Sequence, residues 1–209
     1  MARRPLEKAV TIALEGGVLA LEGIFLAGVD GEGAGAIVAP PHPLYGGSMD
    51  HPVCNELAYA CCDAGFASLR FNWRGVGASA GAASGEPAEA VADYAASAAY
   101  LEATVEGPLL AAGYSFGAAT AVSAAVQTPR CHRLLLVAPP LAMLDREALM
   151  GFRGAVLLVA AAFDAFSSAD ELRALAQGLP RGSFHLVAGA DHFFMNGLVE
   201  IAGAARDWL

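Results

Sequence analysis

From Gly107 to Pro129 the chain carries no charged residue, and this run sharply limits what it can fold into. A stretch of that length is either a membrane span or a segment buried in a protein core. Its composition favours the core. Pro108, Gly113, Ser115, Gly117, Thr120, Ser123 and Gln127 interrupt it, and its apolar residues are mostly alanine rather than Leu, Ile or Phe. Leu109–Tyr114 reads as a short strand and Phe116–Val126 as a helix, with a tight turn between them. No membrane span is expected.

The same alternation continues on both sides. Lys8–Leu14 and Gly17–Leu26, parted by Glu15-Gly16, read as a hairpin. Gly31–Gly35 is a turn and Ala36–Ala39 a buried strand. Asp50 is placed to cap a helix running to about Asp63, with Pro52 in its first turn. Phe66–Phe71 is a strand, Arg74–Gly85 a glycine loop and Glu86–Val105 an alanine-rich helix. Beyond the uncharged run come a strand Arg133–Val137, a short helix Leu144–Phe152 and a strand Ala155–Ala161. Ser168 and Glu171 form a capping-box pattern before a helix to Gln177. Ser183–Val187 is the last strand, and Asn196 is placed to cap the final helix. Strand alternating with helix predicts a mostly parallel sheet covered on both faces, an α/β fold with an N-terminal hairpin. In the absence of repeats or linkers, residues 1–209 read as a single domain.

Composition removes several classes of function. With 56% hydrophobic and 16% charged residues, the chain is not intrinsically disordered. Its net charge is −9, and Lys8 is its only lysine, so no basic patch awaits a nucleic acid. Ala2-Arg3-Arg4-Pro5 has a trace of a twin-arginine signal, but Glu7, Lys8 and Glu15 break what should be an uncharged region, so a cytoplasmic protein is expected. Cys54, Cys61, Cys62 and Cys131 lack metal-ligand spacing and read as free, buried thiols. Neither a metal nor a cofactor is expected. Gly75-Val76-Gly77 and Gly81 do not match G-x-G-x-x-G, and no helix begins close behind them, which argues against a dinucleotide. The sequence leaves monomer against homodimer open.

The chemistry centres on Gly113-Tyr114-Ser115-Phe116-Gly117, a G-x-S-x-G at a strand-to-helix junction. Glycines on both sides let the chain double back, which lifts a serine hydroxyl clear of the sheet. Such a nucleophile needs a base and an orienting acid, following it in the order serine, acid, histidine. Asp164 follows the strand Ala155–Ala161, and His192 follows Ser183–Val187. All three lie at carboxyl ends of strands, where open α/β sheets place their sites. Among rivals, His185 falls inside a strand and His132 in a surface connection, while His51 is at a helix start and His42 in the loop before it. Asp170 suits a first helical turn, and Asp191 is better placed to shape the turn than to face its neighbour His192.

These segments together resemble the α/β-hydrolase superfamily over nearly the whole chain, most of all the small bacterial serine hydrolases without a cap domain. The resemblance rests on His42-Pro43-Leu44-Tyr45-Gly46-Gly47, on Arg70–Ser79, on the turn at Ser115, on Asp164, and on Gly189–Phe194. It implies two backbone N–H donors for a developing oxyanion, those of Leu44 and Phe116. The chain departs from the family's G-x-x-D pattern at Ala161, whose methyl would tighten the turn that aims Asp164.

The connection from Val137 to Ala155 is too short for a cap, so an open site is expected. Tyr45, Met49, Phe163, Phe166 and Phe193 would line it as an acyl or aryl pocket, with Phe194 and Met195 nearby. The expected activity is hydrolysis of a small-molecule carboxylic ester or thioester. Ser115 would attack, His192 carry the proton and Asp164 hold the imidazole. Peptidase action lacks a recognisable subsite for a free amine. Three other readings remain open: an acyltransferase or cyclase, a lyase or isomerase using the same triad, and a non-catalytic binding protein.

Overall fold

A computed structural model describes residues 6–14, 16–28 and 33–209. The Ala2–Pro5 stretch, Glu15 of the hairpin turn and residues 31–32 of the glycine turn lie outside them. In chain order the strands are β1 (Lys8–Ala13), β2 (Ala20–Leu26), β3 (Gly35–Ala39), β4 (Ala67–Phe71), β5 (Leu109–Tyr114), β6 (Cys131–Val137), β7 (Ala155–Ala161) and β8 (Gly182–Val187). The helices are α1 (Pro52–Asp63), α2 (Pro87–Glu102), α3 (Phe116–Ala125), α4 (Arg146–Gly151), α5 (Ala169–Gly178) and α6 (Leu198–Trp208).

These strands form one sheet in the order β1-β2-β4-β3-β5-β6-β7-β8. β1 and β2 pair antiparallel, β2 meets β4 antiparallel, and every pairing from β4 to β8 is parallel. This is the arrangement that the resemblance to the α/β-hydrolase superfamily implied. α1 and α6 cover one face of the sheet and α2 to α5 the other.

β5 explains the uncharged run. Leu109 and Ala111 point into the cluster beneath α2 and α3, while Leu110 and Ala112 point into the cluster beneath α1. A strand covered on both faces has no position where a charge could reach water. None of the helices is long and apolar enough to cross a membrane among the described residues. The chain leaves β3 for β4 on one side and returns to β5 on the other, so the sheet's switch point lies between β3 and β5. Parallel sheets open a crevice there, beyond the carboxyl ends of the strands.

Element cores agree with the sequence reading, and several ends differ. Asp50 does not cap α1; His51 does, its Nδ1 accepting the Val53 N–H at 3.3 Å. Asn196 does not cap α6, which begins after Gly197 at φ 102 with no side-chain cap. Ser168 Oγ accepts the Glu171 N–H at 3.3 Å, but the Glu171 carboxylate pairs with Arg146 at 2.9 Å instead of closing the capping box. α4 is shorter than expected because Asp145 caps it, accepting from the Ala148 N–H at 2.9 Å.

Candidate active site

β5 delivers Ser115 to the switch point. The residue is held at φ 55, ψ −121, a left-handed conformation that side chains other than glycine rarely adopt. Its own N–H prolongs the sheet by donating to Val137 O at 2.8 Å, and Ala118 N–H closes the first turn of α3 on its carbonyl at 2.9 Å. The flanking glycines are required by contact. A Cβ on Gly113 would overlap the Gly117 backbone, and one on Gly117 would overlap the carbonyl oxygens of Ala39 and Pro40. The second contact seats the loop after β3 directly against the turn.

Ser115 Oγ lies 2.9 Å from His192 Nε2, and His192 Nδ1 lies 2.8 Å from Asp164 Oδ2. An ionised carboxylate only accepts, so the Nδ1 hydrogen points at Asp164 and Nε2 is left to accept from the serine. The other Asp164 oxygen accepts the N–H groups of Phe166 at 2.7 Å and Ser167 at 3.0 Å, which fixes the carboxylate plane. Its side chain is fully buried. The Ala161 methyl is accommodated at the buried end of β7, and the turn beyond it still aims Asp164 at His192. Asp191 shapes the neighbouring turn, its carboxylate accepting the Phe193 N–H at 3.0 Å.

Around Ser115 opens a cleft of about 560 Å³. Tyr45, Phe166 and Phe193 line it, as does His42. The Phe166 ring packs 4.8 Å from the His192 ring. Trp73 holds the loop beneath His42 by donating its indole N–H to the carbonyls of Pro40 and Pro41, at 3.2 and 3.0 Å.

Residues 45–161, more than half of the chain, match the serine aminopeptidase S33 family of hydrolases. The chain belongs to the S33 family of α/β-hydrolases. An uncharacterised Rickettsia prowazekii protein is 30% identical over 190 residues, covering 83% of this chain and 77% of that protein. An α/β serine hydrolase homologue from Coxiella burnetii is 27% identical, with TM-score 0.83 over 96% of both chains. A Xanthomonas campestris protein, described as an α/β serine hydrolase without a lid, is also 27% identical. It superposes with TM-score 0.81 over 96% of this chain and 92% of its own.

Three of the residues expected at this S33 hydrolase's site stand elsewhere. Leu44 does not line the cleft, and its N–H donates to His42 Nδ1 at 3.2 Å within the 3₁₀ turn Pro43–Tyr45. The backbone N–H groups of Phe116 and His42, both at the cleft, are engaged by no described residue. Met49 is buried beneath the loop, where its N–H donates to Asn72 Oδ1 at 2.8 Å. Phe163 is exposed outside the cleft. His51, Pro140 and Met143 line it without having been singled out. His51 shares a loop with His42 and Gly46-Gly47, the one signal that could have marked it.

The surroundings of two histidines here disfavour their charged forms. Burial pushes the His42 imidazole below its ordinary value. Burial, then the proximity of His192, does the same to His51. Tyr114, buried beneath the cleft, is pushed well above the usual phenol range by desolvation.

Proposed function

We propose that the chain is a single-domain serine esterase that cleaves carboxylic esters or thioesters of uncharged substrates. The observation that carries this reading is an unbroken hydrogen-bonded chain from Ser115 through His192 to Asp164, opening into a cleft that, among the described residues, is lined by no Asp, Glu, Lys or Arg. In this scheme His192 Nε2 takes the Ser115 proton as Oγ adds to the substrate carbonyl. The carbonyl oxygen becomes an oxyanion beside the N–H groups of Phe116 and His42. His42 replaces Leu44 in that role because the Leu44 N–H is already engaged. Collapse expels the alcohol or thiol, which takes the proton from His192. Water, deprotonated by the same imidazole, then releases the acid and restores the serine.

The cleft's lining favours ester over peptide substrates within a family whose description includes aminopeptidases. Recognition of a terminal ammonium calls for a carboxylate at the site. Among the described residues, the acid hydrogen-bonded into the chain from Ser115 is Asp164, and both of its oxygens are engaged. The exposed aromatic rings of Tyr45, Phe166 and Phe193 supply apolar area for an acyl or aryl group.

The test is covalent labelling followed by turnover. A fluorophosphonate should add one label to the wild type and none to Ser115→Ala. p-Nitrophenyl esters and the matching thioesters should be hydrolysed, and aminoacyl p-nitroanilides should not. A folded wild type that takes no label would overturn the reading, and preferred cleavage of the anilides would replace it with a peptidase.

A further inference from the structure

His51 has a place in the cleft that the triad does not use. Its Nδ1 accepts the Val53 N–H at the start of α1, so its hydrogen must sit on Nε2. The ring leans on Tyr114, centroid to centroid 4.7 Å, and Tyr114 in turn lies 5.7 Å from the His192 ring. Three rings thus stand in a row at the base of the cleft. Nε2 bonds to no described residue, yet it is not sealed from solvent as the buried orphan atoms of Asn55, Ser68 and Arg70 are. Because the ring lines the cleft, its N–H is an open donor there, with its tautomer fixed by a helix and its orientation fixed by an aromatic neighbour.

We infer that His51 is a specificity-determining residue, donating from Nε2 to an acceptor oxygen on the substrate. The cleft would then prefer esters that carry an ether, hydroxyl or carbonyl oxygen close to the scissile bond. This rests on the esterase reading and adds a substrate class to it. Apart from His42, whose Nδ1 also accepts a backbone N–H and whose Nε2 lies beside Gly85, the residues around Ser115 are mainly apolar, so a fixed donor at His51 can discriminate. A site built to hydrogen-bond an oxygen rejects the analogue lacking it, because its own polar group is then left unpaired. Protonation would not change the assignment without disrupting the cap, since Nδ1 would then present a hydrogen to the Val53 N–H.

Matched substrates test this. On the acyl side, p-nitrophenyl methoxyacetate is compared with p-nitrophenyl butyrate, which replaces the ether oxygen by a methylene. On the alcohol side, 2-methoxyethyl acetate is compared with butyl acetate. Intrinsic reactivity cancels when each preference, as a ratio of kcat/KM, is compared between enzyme variants. His51→Asp keeps a cap acceptor and has no N–H; His51→Gln keeps an N–H and sacrifices the cap. The preference in one arm should fall about 3- to 10-fold in His51→Asp and return in His51→Gln. The arm that responds identifies the side of the scissile bond. Equal preferences in wild type and both variants would overturn the inference while leaving the esterase intact. So would a preference retained by His51→Asp and lost in His51→Gln, which would make the residue a helix cap alone. Absence of turnover of all four esters by wild type would overturn the esterase reading and this inference with it.

Discussion

Tyr114 donates its hydroxyl hydrogen to the backbone carbonyl of His192 at 2.7 Å. The residue just before the proposed nucleophile therefore anchors the loop that carries the proposed base. β5 and the loop after β8 are separated by two strands of the sheet, and this buried bond ties them together beneath the cleft. Tyr114→Phe is expected to leave that carbonyl without its partner and to lower stability by about 1–2 kcal/mol. Small displacement of His192 should reduce kcat by about 10-fold. Urea unfolding and steady-state turnover check both. Unchanged values in both would show that the loop is held by other contacts.

The same hydroxyl sets an alkaline limit. Burial raises the Tyr114 and Tyr94 ionisations above the ordinary phenol range, so the folded protein holds those protons longer than the unfolded chain does. Their contribution is complete below about pH 10, where both states are protonated, and is lost as pH rises toward the folded value. Each such tyrosine should steepen the decline by about 1.4 kcal/mol per pH unit. Unfolding free energies between pH 9 and 11 should fall less steeply in Tyr114→Phe than in wild type; parallel curves would assign the decline to other groups.

Asp164→Asn isolates the orienting role. Phe166 and Ser167 donate to one side-chain oxygen, so an asparagine would keep its carbonyl there and turn its NH₂ toward His192. Nδ1 would then accept, the hydrogen would move to Nε2, and Ser115 would lose the atom that takes its proton. Turnover should fall by about 10⁴-fold, with a small change in the unfolding midpoint. A loss below 10-fold would mean that another group orients the imidazole.

The backbone at Gly117 makes a stability prediction of its own. Ala39 O and Pro40 O crowd the position that a Cβ would occupy. Gly117→Ala should therefore destabilise by about 1–3 kcal/mol and slow labelling of Ser115, because the turn and the loop after β3 must part. Normal stability with normal labelling would show that the two segments separate freely.

What the sequence made legible was what period and chain order encode. β5 and β7 have the bounds read from their apolar runs, and the three strand ends carrying Ser115, Asp164 and His192 converge because parallel strands all finish at one edge. What it concealed depends on side-chain geometry within one loop. Whether the Leu44 N–H is free turns on the His42 rotamer and on a 3₁₀ turn, neither of which has a periodic signal. Asp50 is a better capping residue by type than His51, yet the loop presents His51 to the helix. Met49 and Phe163 are both apolar and both adjoin the site in sequence, and only the fold turns one inward to the core and the other out to water.

The cysteines offer a test of packing that is independent of catalysis. Cys54, Cys61 and Cys62 lie on the buried side of α1, and Cys131 opens β6; all four are buried thiols outside any disulfide. Desolvation pushes Cys61 up to about 12 and Cys131 up to about 11. A thiol is nucleophilic only as thiolate, so at pH 8 Cys61 and Cys131 are both buried and held in the unreactive thiol form. Iodoacetamide should leave the native protein unmodified over minutes and alkylate all four thiols in denaturant, as read by intact mass. Rapid alkylation of the native protein on a peptide from residues 52–63 would mean that α1 opens away from the sheet. Because His51 caps that helix, His51→Gln should increase alkylation there, while His51→Asp, which retains a cap acceptor, should not.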